Sequence, residues 1–244
     1  MPIEEQLMAD QRDPVPLLDQ PHACAFCNKK FMKEQTLFTH MCEQKRRVFQ
    51  KDEKRVQTGF LVFNRFFQLT QSNHKIKSYE EFCRSPYYNA FVKFGSYITN
   101  MKPLYPEKFV DFVIKSGVKL DHWTRDELYE KYLKDMIKVE PVDTALSRSV
   151  NTMIEWGADK KAEFTHYFIY ASPNRVVNDV RNGRMSPWML MNCTTGKDLL
   201  MTLNDEQLIF ISNIIDFVYW TKRFRDNPAD VEIVKELCAQ AGIK

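Results

Sequence analysis

The residues with the most explicit chemistry stand near the start of the chain. Cys24 and Cys27 are separated by two residues, His40 follows after a gap of twelve, and Cys42 lies just beyond it. Thiolate sulfur and imidazole nitrogen arranged as a closed tetrahedron are the preferred surroundings of a structural zinc ion. A Cys-x-x-Cys pair makes a tight knuckle that offers two sulfurs to one ion, and a twelve-residue gap leaves room for a second strand and the start of a helix to bring His40 back. Within that gap Phe31 and Leu37 occupy the two positions a tiny core needs. So small a unit cannot hold itself together by burial alone, and in comparable peptides metal binding supplies roughly 10–16 kcal/mol.

At Cys24, Cys27, Phe31, Leu37 and His40 the stretch 22–47 resembles the zinc fingers with two cysteine and two histidine ligands, over about a tenth of the chain. It departs at the fourth ligand, which that family places about four to six residues after the first histidine. Gln44, Lys45 and Arg46 stand there instead. Cys42 is the nearest substitute and gives a Cys-Cys-His-Cys set, while His22, upstream of the knuckle, is the second candidate. Residues two apart on an α-helix point about 200° apart, so a site using both His40 and Cys42 requires the helix to unwind or tighten between them. The other cysteines, Cys83, Cys193 and Cys238, are scattered without a disulfide framework.

The resemblance implies a nucleic-acid partner, DNA more than RNA. It places Lys33, Thr36 and Thr39 at the base-facing positions, with Lys29, Lys30, Lys45, Arg46 and Arg47 against phosphate. Charge distribution agrees. The chain carries only +3 overall, but residues 1–23 hold five acids against one arginine, and residues 24–55 hold nine Lys or Arg against four acids. A lone finger also suits a second role, a protein-docking module in an assembly. The finger followed by a helical body resembles, in addition, small proteins of tailed bacteriophages, including helical DNA base-modification enzymes of the thymine-pyrophosphorylase type. No catalytic motif can be matched to that group residue by residue.

The elements that must position these groups read as helices. With 44% hydrophobic residues and only seven glycines among 244, a sizeable core is available and a turn-rich β architecture is disfavoured. Three segments follow: an acidic, proline-bearing leader at 1–21, the finger at 22–47, and a multi-helix globular domain at 48–244 that opens with a basic connector helix. Glu43–Thr70 reads as one long helix lined by Val56, Phe60, Phe63 and Phe67. Ser78–Glu81 and Thr124–Glu127 have the capping-box pattern. Ser85-Pro86, Ser172-Pro173, Ser186-Pro187, Pro106 and Pro228 mark further helix starts. Asp143 or Thr144 suits the cap of a helix ending at Gly157, Thr165–Ala171 fits strand or helix, and Asn204 opens an apolar helix to about Arg225. The fold expected is predominantly α.

Three weaker constellations remain. Asn174–Asn192 reads as helix, Asn182-Gly183 turn, helix, the outline of a DNA-reading motif, although Trp188 to Met191 look core-like. Asn213, Asp216 and Tyr219 would share one face of the apolar helix, where a buried carboxylate is a candidate general base. His166 beside Tyr167 and Tyr170 reads as a packed histidine. Thr194–Lys197 lacks the glycine and strand of a phosphate loop. The N-terminus is acidic and polar, unlike a signal peptide. No apolar run reaches the length of about 20 residues needed to span a bilayer, since Leu208–Trp220 is interrupted by Ser212, Asn213 and Asp216. A soluble intracellular protein is expected, in the host cytoplasm if viral, with no membrane partner.

Overall fold

The computed structural model describes residues 22–71 and 75–244. The expected leader at 1–21 lies outside the described residues. The chain divides into two compact units, Met1–Asp52 and Glu53–Lys244, and is predominantly α, with fifteen α-helices and one two-stranded sheet among the described residues.

The first unit begins with β1 (His22–Ala23) and β2 (Lys30–Phe31), an antiparallel pair with His22 opposite Phe31. Two short helices follow, α1 (Glu34–Thr39) and α2 (Glu43–Phe49), and then a 3-10 turn at Gln50–Asp52. The single helix expected over Glu43–Thr70 is therefore two. Between Phe49 and Val56 the sequence is Gln-Lys-Asp-Glu-Lys-Arg, with no apolar residue to anchor a continuous helical face, and Glu53 turns extended before the next helix begins.

The second unit runs through α3 (Lys54–Thr70), α4 (Tyr79–Arg84), α5 (Tyr88–Met101), α6 (Pro106–Lys115), α7 (Asp126–Val139) and α8 (Val142–Lys160). It continues through α9 (Tyr167–Tyr170), α10 (Pro173–Arg181), α11 (Pro187–Asn192), α12 (Thr194–Thr202), α13 (Asp205–Ser212), α14 (Phe217–Asp226) and α15 (Pro228–Ala241). Several starts follow their sequence signals. Ser78 and Asn204 form complete capping boxes with Glu81 and Gln207, and Ser172 and Ser186 cap helices that open on proline. The Thr124 box does not form, because α7 is entered through Arg125. Pro141, not Asp143 or Thr144, precedes α8, since proline's fixed φ already suits a helix entrance. Ser85-Pro86 likewise leads into α5 only at Tyr88, and the 165–171 stretch is helical as far as Tyr170, with Ala171 extended.

Aromatic burial supplies the core. Phe63, Phe82, Phe91 and Trp123 meet ring to ring at 5.0–5.9 Å, and Phe109 joins Tyr129 and Tyr132 at 5.3 and 5.1 Å. A second cluster sets Trp188 edge-on to Trp220 at 5.7 Å. The segment between α10 and α11 is tied down by α7 and α8. Tyr129 Oη donates to Asn182 O at 2.9 Å, Thr152 Oγ1 to Arg184 O at 3.1 Å, and Ser186 N to Ser149 Oγ at 3.0 Å. Arg148 donates to Gly183 O and pairs with the buried Glu140.

The most extensive helix pairing in this unit is that of α3 with α5, and glycine makes it possible. A Cβ on Gly95 would collide with the Arg55 carbonyl and stand 2.6 Å from Gly59 N, and one on Gly59 would lie 2.8 Å from Phe91 O. These are backbone atoms, so neither helix can yield without sliding the aromatic residues it carries. Gly95→Ala is expected to destabilise the unit by about 2–3 kcal/mol and to lower its thermal midpoint by roughly 5–10 °C. Alanine at the exposed Gln57 on α3 should change it by no more than about 1–2 °C, and calorimetry on the three chains checks both.

Candidate metal centre

The site is built by two reversals of the chain. After β1, Cys24 N donates to Lys29 O at 2.9 Å and Asn28 N to Cys24 O at 2.8 Å, which closes the knuckle. The turn needs a left-handed residue, and Asn28 takes it at φ 58°, a conformation asparagine tolerates better than most side chains. The second reversal is at His40. α1 stops at Thr39, His40 is extended at φ −66° and ψ 122°, and Cys42 is the cap of α2, accepting from Lys45 N at 3.4 Å. This break is the unwinding that a shared His40 and Cys42 site requires.

The result is a cluster of Cys24 Sγ, Cys27 Sγ, His40 and Cys42 Sγ whose ligand atoms all lie within 4.8 Å of one another. Cys27 Sγ is 3.3 Å from His40 Nε2, and Cys24 Sγ is 4.0 Å from Cys42 Sγ. Bonds of about 2.3 Å in a tetrahedron would place two sulfurs roughly 3.8 Å apart, whereas a disulfide would bring them to about 2.05 Å. The spacing fits donors around one ion, and Cys42 fills the fourth place. His22 is instead paired with Phe31 in the small sheet. The Phe26 N–H, directed at Cys24 Sγ, holds that thiol below its ordinary range and outweighs the opposing effect of burial.

Little else holds this unit together. Among residues 22–52 only Cys24 and Arg47 are buried. Phe31 and Leu37 are half-buried, and the Phe31 ring lies 4.7 Å from that of His40. The expected two-residue core is therefore a thin cover on the ligands.

Of the residues expected to face nucleic acid, Lys29, Lys30, Lys33, Thr36, Thr39 and Arg46 are exposed. Thr39 donates its hydroxyl back to the carbonyls of Gln35 and Thr36, at 3.2 and 3.3 Å. Lys45 reaches the His40 carbonyl at 3.2 Å. Arg47 turns inward, 8% exposed, and pairs with Glu43 one helical turn back. Sequence reasoning gave no weight to the exposed aromatic residues of this unit, Phe26 at 41%, Phe49 at 63% and Phe38 at 84%. Their signal was present, since none of the three falls on the Phe31–Leu37 register.

The weaker constellations are structural. Trp188, Met189 and Leu190 are fully buried, so α11 has no face to lay in a groove. The apolar helix expected from Asn204 to Arg225 breaks after Ser212, and Asp216 caps α14 by accepting from Tyr219 N at 3.0 Å. An exposed cap of this kind is not a buried base. His166 is half-buried beside Tyr170 at 5.4 Å. Asp179 is buried and accepts from Tyr167 Oη at 2.6 Å and Arg175 Nε at 2.7 Å. Burial, reinforced by the Asp179 charge, pushes the Tyr167 hydroxyl far above its ordinary range, and it stays a donor. No helix among the described residues is long and apolar enough to cross a membrane.

No protein-family model matches the chain, nor does any curated protein or solved structure. The class that fold and site define is a predominantly α chain with a four-ligand Cys/His cluster near its N-terminus.

With so little buried around the ligands, removing the metal should unfold residues 22–52 and leave the second unit folded. A chelator should abolish proteolytic resistance and amide-shift dispersion in that stretch alone, and Cys42→Ser should do the same without chelator. Ligation requires deprotonated sulfur and imidazole, so the folded signal should be present at neutral pH and disappear as pH falls, with protons taken up as metal is released. A first unit unchanged after complete metal removal would contradict this.

Proposed function

We propose that the chain is a zinc-dependent nucleic-acid-binding protein, with zinc held by Cys24, Cys27, His40 and Cys42, and that its finger engages unpaired strands in preference to duplex. The observation that carries this reading is the mixture of exposed aromatic and basic side chains on one small unit: Phe26, Phe38 and Phe49 among Lys29, Lys30, Lys33 and Arg46. Bases stack on exposed aromatic rings at about 1–3 kcal/mol each while lysines follow the phosphates, a combination that serves single strands. Duplex reading depends on polar side chains reaching base edges. Here Thr39 has turned its hydroxyl onto its own helix, which supports the first arrangement over the second. A single finger buries only about 600–1,000 Å² on nucleic acid. Its role in this reading is to tether the helical domain to DNA or RNA.

One observation favours a second reading, a finger that docks on protein. Met32 and Met41 are exposed at 68% and 57% on the same unit as the three phenylalanines, and exposed apolar side chains of this kind serve protein contacts as well.

Titration of the metal-loaded chain with single- and double-stranded DNA and RNA across a salt series separates the two. The expected result is tighter binding to single strands, lost on chelation. Each phosphate contact contributes about −0.7 to the slope of log K against log salt, so replacing Lys29, Lys30 and Lys33 with alanine should flatten the slope by roughly two. Phe38→Ala should weaken binding about tenfold at an unchanged slope. Absence of binding to every oligonucleotide would defeat the nucleic-acid reading and leave protein docking.

A further inference from the structure

The second unit has a cleft of about 360 Å³ where α10 packs against α13, towards the lower end of the roughly 300–1,000 Å³ typical of small-ligand sites. Carboxamides dominate its lining. Asn174 and Asn178 come from α10, Asn204 and Gln207 from the entrance to α13, and Arg181 and Phe210 complete the wall. Asn174, Asn178 and Arg181 follow one another at intervals of four and three residues, which puts them on one helix face.

The arrangement is partly fixed. Gln207 Oε1 accepts from Asn204 N at 3.1 Å, and its Nε2 donates to Asn174 Oδ1 at 2.7 Å. Asn178 has no side-chain partner among the described residues, so its carboxamide offers both a donor and an acceptor. Arg181 brings no free charge, being paired with Asp126 at 2.9 Å and Glu130 at 3.5 Å. Its guanidinium lies 5.9 Å from the Phe210 ring centre, and that ring remains 47% exposed. With Glu206 also in the lining, the cleft has no surplus positive charge to attract a phosphate.

We propose that this cleft takes the heterocyclic base of a nucleotide, its edge against Asn174 and Asn178 and its face against Phe210. A carboxamide presents a coplanar donor and acceptor, the pattern that asparagine and glutamine use on base edges, and an exposed phenyl ring is a stacking platform for any base. A free nucleotide and a base from a bound strand share this chemistry. The strand as source rests on the nucleic-acid reading above, and the free nucleotide does not.

The test uses the full, metal-loaded chain with isotope-labelled amides, titrated separately with nucleoside monophosphates and with a single-stranded oligonucleotide. Phe210→Ala and Asn178→Ala are the variants, both at exposed positions, with unchanged thermal midpoints as the check on folding. Monophosphates are expected to shift amide signals of α10 and α13, and either variant should weaken that response about tenfold. Oligonucleotide affinity should fall about fivefold to tenfold in the same variants with no change in salt slope. A response to monophosphates without the loss in oligonucleotide affinity assigns the cleft to free nucleotides and upholds the proposal. It also holds if monophosphates shift the cleft while the chain binds no oligonucleotide at all, and then the reading of the finger alone falls. Oligonucleotide binding that depends on Lys29, Lys30 and Lys33, with no monophosphate response and no effect of Phe210→Ala or Asn178→Ala, overturns the cleft and leaves the finger standing. A response to neutral sugars in place of nucleotides also overturns it.

Discussion

Cys24, Cys27, His40 and Cys42 bring three sulfurs and an imidazole within 4.8 Å of one another, and the rest of the N-terminal unit depends on that convergence. Donor groups do not gather so closely on their own account. Thiolates repel as charges, and thiols gain little from one another, so an ion between them would make the arrangement favourable. Everything else in the stretch follows from reaching the four positions. The left-handed Asn28 closes the knuckle, the short sheet carries the chain back, and α1 is cut at Thr39 so that His40 and Cys42 can face the same point. The unit's architecture is thus mostly the geometry of the four candidate ligands with a thin apolar cover.

The second unit solves the same problem by the opposite means. It buries aromatic residues in quantity, and it brings α3 and α5 together so closely that two glycines are required at the crossing. Its buried carboxylates are met within the fold. Glu140 is met by Arg148 and by Tyr105 Oη at 2.9 Å, and Asp179 by Tyr167 and Arg175. A buried ion pair of this type contributes little net stability, but breaking it leaves an uncompensated charge. Here the pairs fix where the segment after α10 lies, and α10 carries one wall of the carboxamide cleft.

How much of this could be read from the sequence depended on how local the cause was. Ser78, Ser172, Ser186 and Asn204 announce their helices because a cap and its partners lie within three residues. The knuckle was equally legible, since Cys-x-x-Cys chemistry is local. The sequence favours Cys42 over His22 as the fourth ligand, and the backbone break between His40 and Cys42 lets it join the cluster. The long helices expected over 43–70 and 204–225 both break, because periodicity shows which residues could share a face but not where a helix stops. The 50–53 stretch offers no apolar anchor, whereas at 213–216 Ile214 and Ile215 are buried and the new start is the local cap that Asp216 gives α14. Arg47 is buried where its residue type suggests solvent, and it pairs with Glu43 one turn away. The cleft had no sequence signal, because Asn174 and Gln207 are brought together only by the packing of α10 on α13.

The contrast between the two units bears on what the finger's surface is for. A fold held by apolar burial draws its phenylalanines and methionines inward, and leaving them outside costs it stability. A fold held by four ligands has no such demand, so its large apolar side chains are free to be elsewhere. Yet Phe38 at 84%, Met32 at 68% and Phe49 at 63% exposure still carry the solubility cost of apolar surface in water. None of the three is buried, whereas Phe31, which lies against His40, is half-buried. Large apolar groups exposed at a cost suit a surface that meets a partner. On the nucleic-acid reading proposed above, a strand offering both base faces and phosphates would satisfy the aromatic and the basic residues together, which a purely apolar partner would not.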